Sequence, residues 1–188
     1  MRITGGAARG RILSAPRGLR VRPTSDKLRA AIFDILGARD LVGGRRVLDL
    51  FCGSGALGLE ALSRGATAVV FVDGSADSCG STARNVECNG YLDRSEIRRL
   101  TLPQGIRRLE ASHCSFGGAL LDPPYRLGLG AATLEALGSS SLLEPGAWAV
   151  CEHALGESID EVYGRLRRFD VRRYGSTGLS IYLSEEDG

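Results

Sequence analysis

A short apolar segment that runs into a glycine-rich turn is the feature that most constrains the fold of this chain. Val47–Leu50 precedes glycines at positions 53, 55 and 58, which are spaced as G-x-G-x-x-G. Gly53 and Gly55 permit a tight turn whose backbone can approach a ligand closely, and Gly58 lets the following helix pack against the strand. The segment therefore predicts the first strand, turn and helix of a ligand-binding α/β protein.

Strand and helix signals alternate along the chain, which predicts an α/β fold with a mostly parallel sheet covered on both faces. Apolar runs predict strands at Val47–Leu50, Ala68–Val72, Ile97–Leu102, Ala119–Leu121 and Ala147–Cys151. Helical spacing predicts helices from Thr24 or Ser25 to Gly37, at Ala56–Ser63, Ala76–Asn89 and Leu129–Leu137, and through Ile159, Val162, Tyr163 and Leu166. A final hairpin pairs Phe169–Tyr174 with Leu179–Leu183 and makes the last strand antiparallel.

The first 30 residues are strongly basic. They contain eight basic side chains and one acidic one, a net charge of +7, whereas the whole chain carries +2. This layout is typical of proteins that bind nucleic acids, and a solvated arginine-rich tail is the alternative. We expect residues 1–24 to form an arm with a short hairpin, followed by one domain over residues 25–188. The candidate contacts to nucleic acid are Arg9, Arg11, Arg20 and Arg22.

Composition argues against several classes of protein. The chain has five cysteines without a C-x-x-C pair and only two histidines, so we expect no metal site and no disulfide framework. No apolar run approaches the roughly 20 residues that span a bilayer, and the N-terminus lacks the pattern of a signal peptide. We therefore expect a cytoplasmic monomer with reduced thiols and no membrane partner.

Two aspartates indicate which ligand the glycine-rich turn accepts. Asp49 lies in the first predicted strand, and Asp73 follows the second. A carboxylate at Asp49 would repel a diphosphate but can accept hydrogen bonds from a cationic amino-acid group, which favours S-adenosylmethionine over a dinucleotide. Asp73 stands where a ribose-binding carboxylate is expected, and a helix cap or a solvated turn is the alternative for each aspartate. The predicted cofactor-binding residues are Asp49, Phe51, Cys52, Gly53, Ser54, Gly55, Gly58, Asp73 and Gly74.

A stiff turn, Asp122-Pro123-Pro124-Tyr125, follows the fourth predicted strand. Its two prolines fix the backbone and leave carbonyl groups pointing outward. A carboxylate beside a rigid carbonyl can hold both hydrogens of a neutral amino group and direct the nitrogen lone pair at an incoming methyl group. Tyr125 offers a face on which a base can stack. We predict that these four residues are catalytic, and a turn that only ends the strand is the alternative.

Together these motifs resemble the RsmD family of bacterial methyltransferases, which act on guanine N2 of 16S ribosomal RNA. The similar stretches are Arg22–Asp26, Val47–Gly65, Asn85–Gly90, Asp122–Tyr125 and Glu152. The resemblance implies a Rossmann-like class I methyltransferase fold with seven strands and a basic N-terminal β-hairpin that grips RNA, with Thr24 among the contacts. It also implies that Asp49 and the turn bind the methionine part of the cofactor and Asp73 the ribose. The implied partner is 16S rRNA within the small ribosomal subunit or its assembly intermediate.

Other functions are compatible with parts of the sequence. A DNA adenine or protein-glutamine amino-methyltransferase would share both motifs, but the chain has little room for a DNA-recognition domain, and the glutamine enzyme would carry Asn at position 122. A non-catalytic RNA-binding assembly factor could keep the same fold. A dehydrogenase is disfavoured by Asp49. Many relatives place an acid after the third strand to hold adenine, and here Gln104 or a backbone carbonyl would have to replace it.

Overall fold

The computed structural model of the chain describes residues 1–14, 25–112 and 114–185. The predicted arm residues Arg20, Arg22 and Thr24 lie outside these ranges. In chain order the helices and strands are α1 (Ser25–Gly37), β1 (Arg46–Leu50), α2 (Ala56–Ser63), β2 (Ala68–Asp73), α3 (Ala76–Cys88), a 3-10 turn (Leu92–Arg94), β3 (Ser95–Arg99), α4 (Ile106–Glu110), β4 (Phe116–Leu121), α5 (Leu129–Gly138), β5 (Leu143–Ala154), β6 (Val162–Tyr163), β7 (Leu166–Tyr174) and β8 (Thr177–Ser184). Among the described residues, the helices fall short of the length and hydropathy needed to cross a membrane.

The eight strands of the described residues form one sheet in the order β3-β2-β1-β4-β5-β8-β7-β6. Strands β1 to β5 are parallel, and β8, β7 and β6 continue the sheet with antiparallel pairing. The predicted α/β fold with its antiparallel C-terminal end is confirmed. Because the carboxyl ends of β1 to β5 lie together, we call that side of the sheet the carboxyl edge and the opposite side the amino edge. Strand β8 begins at the carboxyl edge, since it runs against β5.

The helix predicted over residues 159–166 does not form, so that prediction was wrong. Tyr163 and Leu166 instead pair across a tight turn between β6 and β7. Gly164 in this turn has a φ of +53°, outside the helical region, and a side chain there would collide with the backbone of Gly138. Apolar spacing of three to four residues fits both a helix and this small hairpin. The hairpin adds the eighth strand to the seven that were expected.

Strand β3 begins and ends earlier than its apolar residues suggest. It pairs with β2 from Ser95 to Arg99, whereas the prediction was Ile97–Leu102. The apolar Leu102 belongs to the turn after β3, where it is buried beside Ile106 in the core. Helix α4 follows and was not predicted, because its five residues are too few to show a helical period.

The sheet separates two apolar cores. Alternating side chains of each central strand point to opposite faces, as Val47 and Leu48 do on β1. One core packs under α1, α2 and α3 and includes Ile32, Phe33, Leu59, Phe71, Val86 and Trp148. The other packs under α4 and α5 and includes Leu109, Phe116, Leu134, Leu137 and Tyr182. Full coverage explains why β2 and β4 read as continuous apolar runs.

The described part of the arm, residues 1–14, packs onto the first core. An antiparallel bridge between Arg2 and Ile12 forms the predicted hairpin. Ile3 and Leu13 are buried among the side chains of α1 and α2. These residues therefore gain stability from the same burial of apolar area that stabilises the sheet.

A buried carboxylate fixes the hairpin to the body. Glu60 on α2 is fully buried and accepts hydrogen bonds from the backbone N–H and the hydroxyl of Thr4 and from the N–H of Gly5, each at 2.7 Å. The guanidinium groups of Arg64 and Arg29 donate to the same carboxylate at 2.9 and 3.4 Å. A buried carboxylate without such partners would cost several kcal/mol. The sequence pattern gave no sign of this role for Glu60.

Helix α2 lies unusually close to strand β2. A Cβ atom added at Gly58 would lie 2.3 Å from Cε1 of Phe71 and 2.8 Å from Cγ1 of Val69. Both side chains are buried, so neither can move aside without disturbing the core. This contact accounts for the third glycine of the G-x-G-x-x-G pattern, as its position predicted.

We expect Gly58→Ala to lower the free energy of unfolding by about 1–3 kcal/mol, because the added methyl group overpacks the contact with Phe71. Urea denaturation followed by circular dichroism measures the change. Gly80→Ala on α3 is the matched control, since a Cβ atom there meets only the flexible end of Arg84 at 3.6 Å. We expect the control to gain about 0.5–1 kcal/mol. Equal stability of Gly58→Ala and wild type would contradict the packing argument.

Candidate active site

The glycine-rich turn between β1 and α2 lies at the carboxyl edge. Three of its residues have positive φ angles, +62° at Phe51, +55° at Gly53 and +78° at Gly55. Hydrogen bonds close the turn, from the N–H of Cys52 to Val72 O at 3.0 Å and from the N–H of Gly55 to Cys52 O at 2.7 Å. Glycine explains two of the left-handed positions, whereas Phe51 holds such a conformation at a conformational cost.

Asp49 lies beneath this turn and is only 1% exposed. Its Oδ2 accepts a hydrogen bond from the N–H of Gly58 at 2.9 Å, so it also caps the first turn of α2. Burial raises the pKa of Asp49 from 3.8 to about 7, the Gly58 hydrogen bond opposes that shift, and the carboxylates of Asp122 and Asp73 add to it. Asp122 and Asp73 therefore lie close enough to Asp49 to disfavour its charge, and a cationic group bound beside Asp49 would favour it.

Asp73 ends β2 and supports the turn from the neighbouring strand. Its Oδ2 accepts the N–H of Gly53 at 3.0 Å, and its Oδ1 accepts the N–H of Ser75 at 2.8 Å. Each oxygen of a carboxylate can accept a second hydrogen bond, so these contacts are compatible with a ribose hydroxyl as a further donor. The exposed Gly74 follows, next to Thr101 in the turn after β3.

A polar face of α3 fixes the glycine-rich turn from the outside. The hydroxyl of Thr82 donates to Gly53 O at 3.1 Å, and Nδ2 of Asn85 donates to Ser54 O at 2.9 Å. The buried Asn85 also binds the arm, since its Oδ1 accepts the N–H of Ser14 at 2.9 Å. These contacts stabilise a helix whose residues are weak helix formers. Sequence analysis did not assign Thr82 a role, because its partners are backbone atoms of distant residues.

Cys52 is a packing residue of the turn. Its side chain is buried and lies 3.5 Å from the hydroxyl of Thr82. Burial raises the pKa of the Cys52 thiol well above its ordinary value, with a smaller contribution from the charge of Asp49. The thiol is therefore protonated and unreactive at neutral pH. Within residues 1–14, 25–112 and 114–185, no group of three or more His, Cys, Asp and Glu side chains could hold a metal ion.

The D-P-P-Y turn follows β4 at the same edge. Asp122 is exposed, and its N–H lies 3.4 Å from Leu50 O at the end of β1. Pro123 is buried whereas Pro124 is exposed. Tyr125 is half-buried, and its hydroxyl lies 3.2 Å from the hydroxyl of Thr177, the first residue of β8. The turn is thus held between the central strand and the C-terminal hairpin.

Arg9 and Arg11 of the arm lie far from this turn. The N–H of Ala7 donates to Ser63 O at the end of α2, and Nη1 of Arg11 donates to Asn89 O just after α3. Both helices start at the carboxyl edge and end near the amino edge, so the exposed Arg9 and Arg11 lie near the amino edge. The structure therefore brings the predicted cofactor and catalytic residues together, and it separates these two arginines from them.

Comparison with known proteins gives the family. The family model described as Conserved hypothetical protein 95 matches residues 1–183. The chain belongs to this family. It is 34% identical to YlbH of Bacillus subtilis (strain 168) over 97% of this chain and 98% of that protein. It is 30% identical to ribosomal RNA small subunit methyltransferase D of Escherichia coli (strain K12) over 100% of this chain and 92% of that protein.

Solved structures of similar proteins agree with this family. The Escherichia coli protein yhhF superposes with a TM-score of 0.84 at 28% identity, covering 98% of both chains. The Thermus thermophilus protein TTHA0928 superposes with a TM-score of 0.82 at 32% identity, covering 99% of both chains. The predicted RsmD-type family and Rossmann-like class I methyltransferase fold are confirmed. Family and fold identify the chain as an S-adenosylmethionine-dependent methyltransferase, as the sequence predicted.

The raised pKa of Asp49 predicts a pH dependence of stability without cofactor. The unfolded carboxyl ionises near pH 3.8, but the folded one keeps its proton to about pH 7. Its contribution to stability is therefore complete below about pH 4 and is lost as the pH rises through about 7, with a slope approaching about 1.4 kcal/mol per pH unit. We expect Asp49→Asn to remove this part of the pH dependence.

Urea denaturation between pH 4 and pH 8 provides the measurement, with Asp77→Asn on the exposed start of α3 as the control. The control should keep the wild-type profile. If Asp49→Asn also keeps it, the Asp49 carboxyl is ionised in the folded protein and the argument from burial is wrong.

Proposed function

We propose that this chain transfers a methyl group from S-adenosylmethionine to the exocyclic N2 amine of a guanine in 16S rRNA of the small ribosomal subunit. The observation that carries the proposal is the D-P-P-Y turn at the carboxyl edge, directly beside the glycine-rich turn. Asp122 directly follows β4 and lies next to Leu50 at the end of β1. Because β1 and β4 are adjacent strands, the two turns lie side by side. A methyl donor on one turn and an amine on the other would therefore be neighbours.

The cofactor would supply an electrophilic methyl group on a positively charged sulfur. The repulsion that Asp122 and Asp73 exert on the buried Asp49 suits such a cation, because a positive charge nearby would favour the ionised form of Asp49. In the proposed complex Asp49 and the turn from Phe51 to Gly58 hold the amino-acid part, and Asp73 with Gly74 holds the ribose. Gln104 is exposed in the turn after β3 and is the proposed contact to the adenine amino group.

The target amine needs orientation more than it needs a base. Asp122 and the carbonyl of Pro123 would accept one hydrogen each, which directs the nitrogen lone pair toward the methyl group. The carboxylate would also stabilise the positive charge that develops on the nitrogen. The methylated nitrogen would then release its extra proton to Asp122 or to water, and the neutral thioether S-adenosylhomocysteine would leave. Pro124 keeps the turn rigid, and Tyr125 is positioned by Thr177 to stack on the base.

Ribosomal RNA as the substrate is supported by the relatives and by charge. The Escherichia coli relative is named a ribosomal RNA small subunit methyltransferase, and the first 30 residues carry a net charge of +7. The exposed Arg9 lies near the amino edge, and strands of five or six residues separate the two edges by about 17–20 Å. An RNA that contacts both edges must span that distance.

Asp122→Ala should abolish methyl transfer and leave cofactor affinity nearly unchanged, because the side chain acts on the substrate amine. The measurement uses labelled S-adenosylmethionine with undermethylated small subunits, followed by mapping of the modified nucleoside. Asp93→Ala in the exposed 3-10 turn is the control and should keep wild-type activity. Equal loss of activity and cofactor binding would show that Asp122 does not act on the substrate side.

The identity of the labelled product separates the alternatives. Label in N2-methylguanosine supports the proposal, whereas label in N6-methyladenosine or in protein points to one of the other amino-methyltransferases. Absence of label despite intact RNA binding by the wild type would favour an assembly factor.

Arg9→Gln together with Arg22→Gln should weaken binding to small subunits and reduce its dependence on salt. The slope of log K against log salt should fall by about 0.7–0.9 for each phosphate that the variant no longer neutralises. Arg11 is left unchanged because it binds Asn89 and supports the hairpin. Arg108→Gln on α4, on the other face of the sheet, is the control for the loss of an exposed arginine. An unchanged slope in the double variant would mean that Arg9 and Arg22 do not neutralise phosphates of the RNA.

A further inference from the structure

A short loop after the D-P-P-Y turn holds a leucine in solvent. Leu127 is 67% exposed, and it lies two residues after Tyr125. Its neighbours Arg126 and Gly128 have φ angles of +63° and +67°. A left-handed conformation is unfavourable for arginine, so the surrounding structure must impose it. The backbone at Arg126 is therefore fixed in a form that an arginine in a free loop would rarely adopt, whereas the positive φ of Gly128 is ordinary for glycine.

The carboxylate of Glu157 imposes that conformation. Its Oε1 accepts the N–H of Arg126 at 2.7 Å, and its Oε2 accepts the N–H of Ala154 at 2.7 Å. One side chain thus joins the loop after β4 to the carboxyl end of β5. A carboxylate that binds two backbone N–H groups holds them more firmly than neutral acceptors would. The two hydrogen bonds hold the backbone of Arg126, directly before Leu127, against the end of β5.

The position of the loop gives Leu127 its significance. Tyr125 and the loop lie at the carboxyl edge, where the target base would enter. Exposed leucines are ordinary on protein surfaces, and Leu92 on the 3-10 turn is 63% exposed without any comparable support. Leu127 differs because it lies next to the proposed catalytic turn. The left-handed Arg126 precedes it, and Glu157 hydrogen-bonds that backbone.

We propose that Leu127 fills the space that the target base leaves when it turns out of the RNA stack. This inference rests on the proposed function, because it requires a base as the substrate. The exocyclic amine of a stacked base can reach a turn such as Asp122–Tyr125 once that base leaves the stack, and proteins that open stacks frequently insert apolar side chains between the bases. Leu127 is then a positioning residue for substrate, and Glu157 positions Leu127.

The test measures single-turnover methyl transfer to undermethylated small subunits. Leu127→Ala should slow transfer by about tenfold or more, because the opened stack closes again on the base. Leu127→Met should restore most of the rate, since it replaces the apolar volume. Leu92→Ala is the matched control and should transfer at the wild-type rate. The affinity for S-adenosylhomocysteine should be the same in all four proteins.

A second substrate separates stack opening from simple contact. After the target nucleotide has been mapped, subunits are reconstituted with an abasic site beside it, so that the stack is already interrupted. The defect of Leu127→Ala should largely disappear on this substrate. A defect of the same size on both substrates would overturn the inference, as would wild-type rates for Leu127→Ala on intact subunits.

Glu157→Ala tests the two hydrogen bonds from Arg126 and Ala154 to Glu157 by the same measurement. The variant should reproduce the substrate dependence of Leu127→Ala, because the loop is released from Ala154. Glu161→Ala removes a nearby exposed acid that pairs with Arg168 and should have no effect. Wild-type transfer by Glu157→Ala would overturn the positioning role.

Failure of the proposed function gives a different experimental result from failure of the role proposed for Leu127. If the wild type labels an amine of another base, guanine N2 is wrong, and the comparison of Leu127 variants applies to that base. If the wild type labels no nucleic acid at all, both proposals fall together. An active wild type with a fully active Leu127→Ala variant contradicts only the role of Leu127.

Discussion

Helix α2 lies so close to the sheet that only glycine fits at position 58, and the proposed cofactor site depends on that contact. With Gly58 packed over Phe71, its N–H binds the carboxylate of Asp49. Asp49 is thereby held in a buried position near Asp73 and Asp122, which together with burial raises its pKa. The packing of one helix on strand β2 therefore influences both the stability of the fold and the charge of the site.

Buried polar side chains connect the arm to the site. Glu60 on α2 binds the start of the arm, and Asn85 on α3 binds both Ser14 and the glycine-rich turn. Each is buried and forms several hydrogen bonds, so removing either would leave unpaired backbone groups in the interior. Asn85 thus joins the arm to the glycine-rich turn of the proposed cofactor site. Substitutions at Asn85 would therefore disturb both the arm and the glycine-rich turn.

The division between the two edges organises the proposed function. The predicted cofactor-binding and catalytic residues lie at the carboxyl edge. Ligands of open parallel sheets generally bind there, in a crevice at the ends of the strands. Arg9 and Arg11 of the arm lie near the opposite edge, on the side of Ser63 and Asn89. In the proposed complex the arm would supply affinity for RNA, while Tyr125, Leu127 and Glu157 would govern how the base enters.

The sequence by itself determined most helices and strands, the glycine-rich turn and the positions of the three aspartates, because apolar periods and turn residues act locally. Only the tertiary structure decided the rest. It replaced the predicted helix at 159–166 with a hairpin, in which Gly164 turns the chain with a φ of +53°. It also joined Glu157 to Arg126 and Thr177 to Tyr125, partners 31 and 52 residues apart, and buried Asp49. No local pattern specifies such contacts, because they depend on how distant segments meet in space.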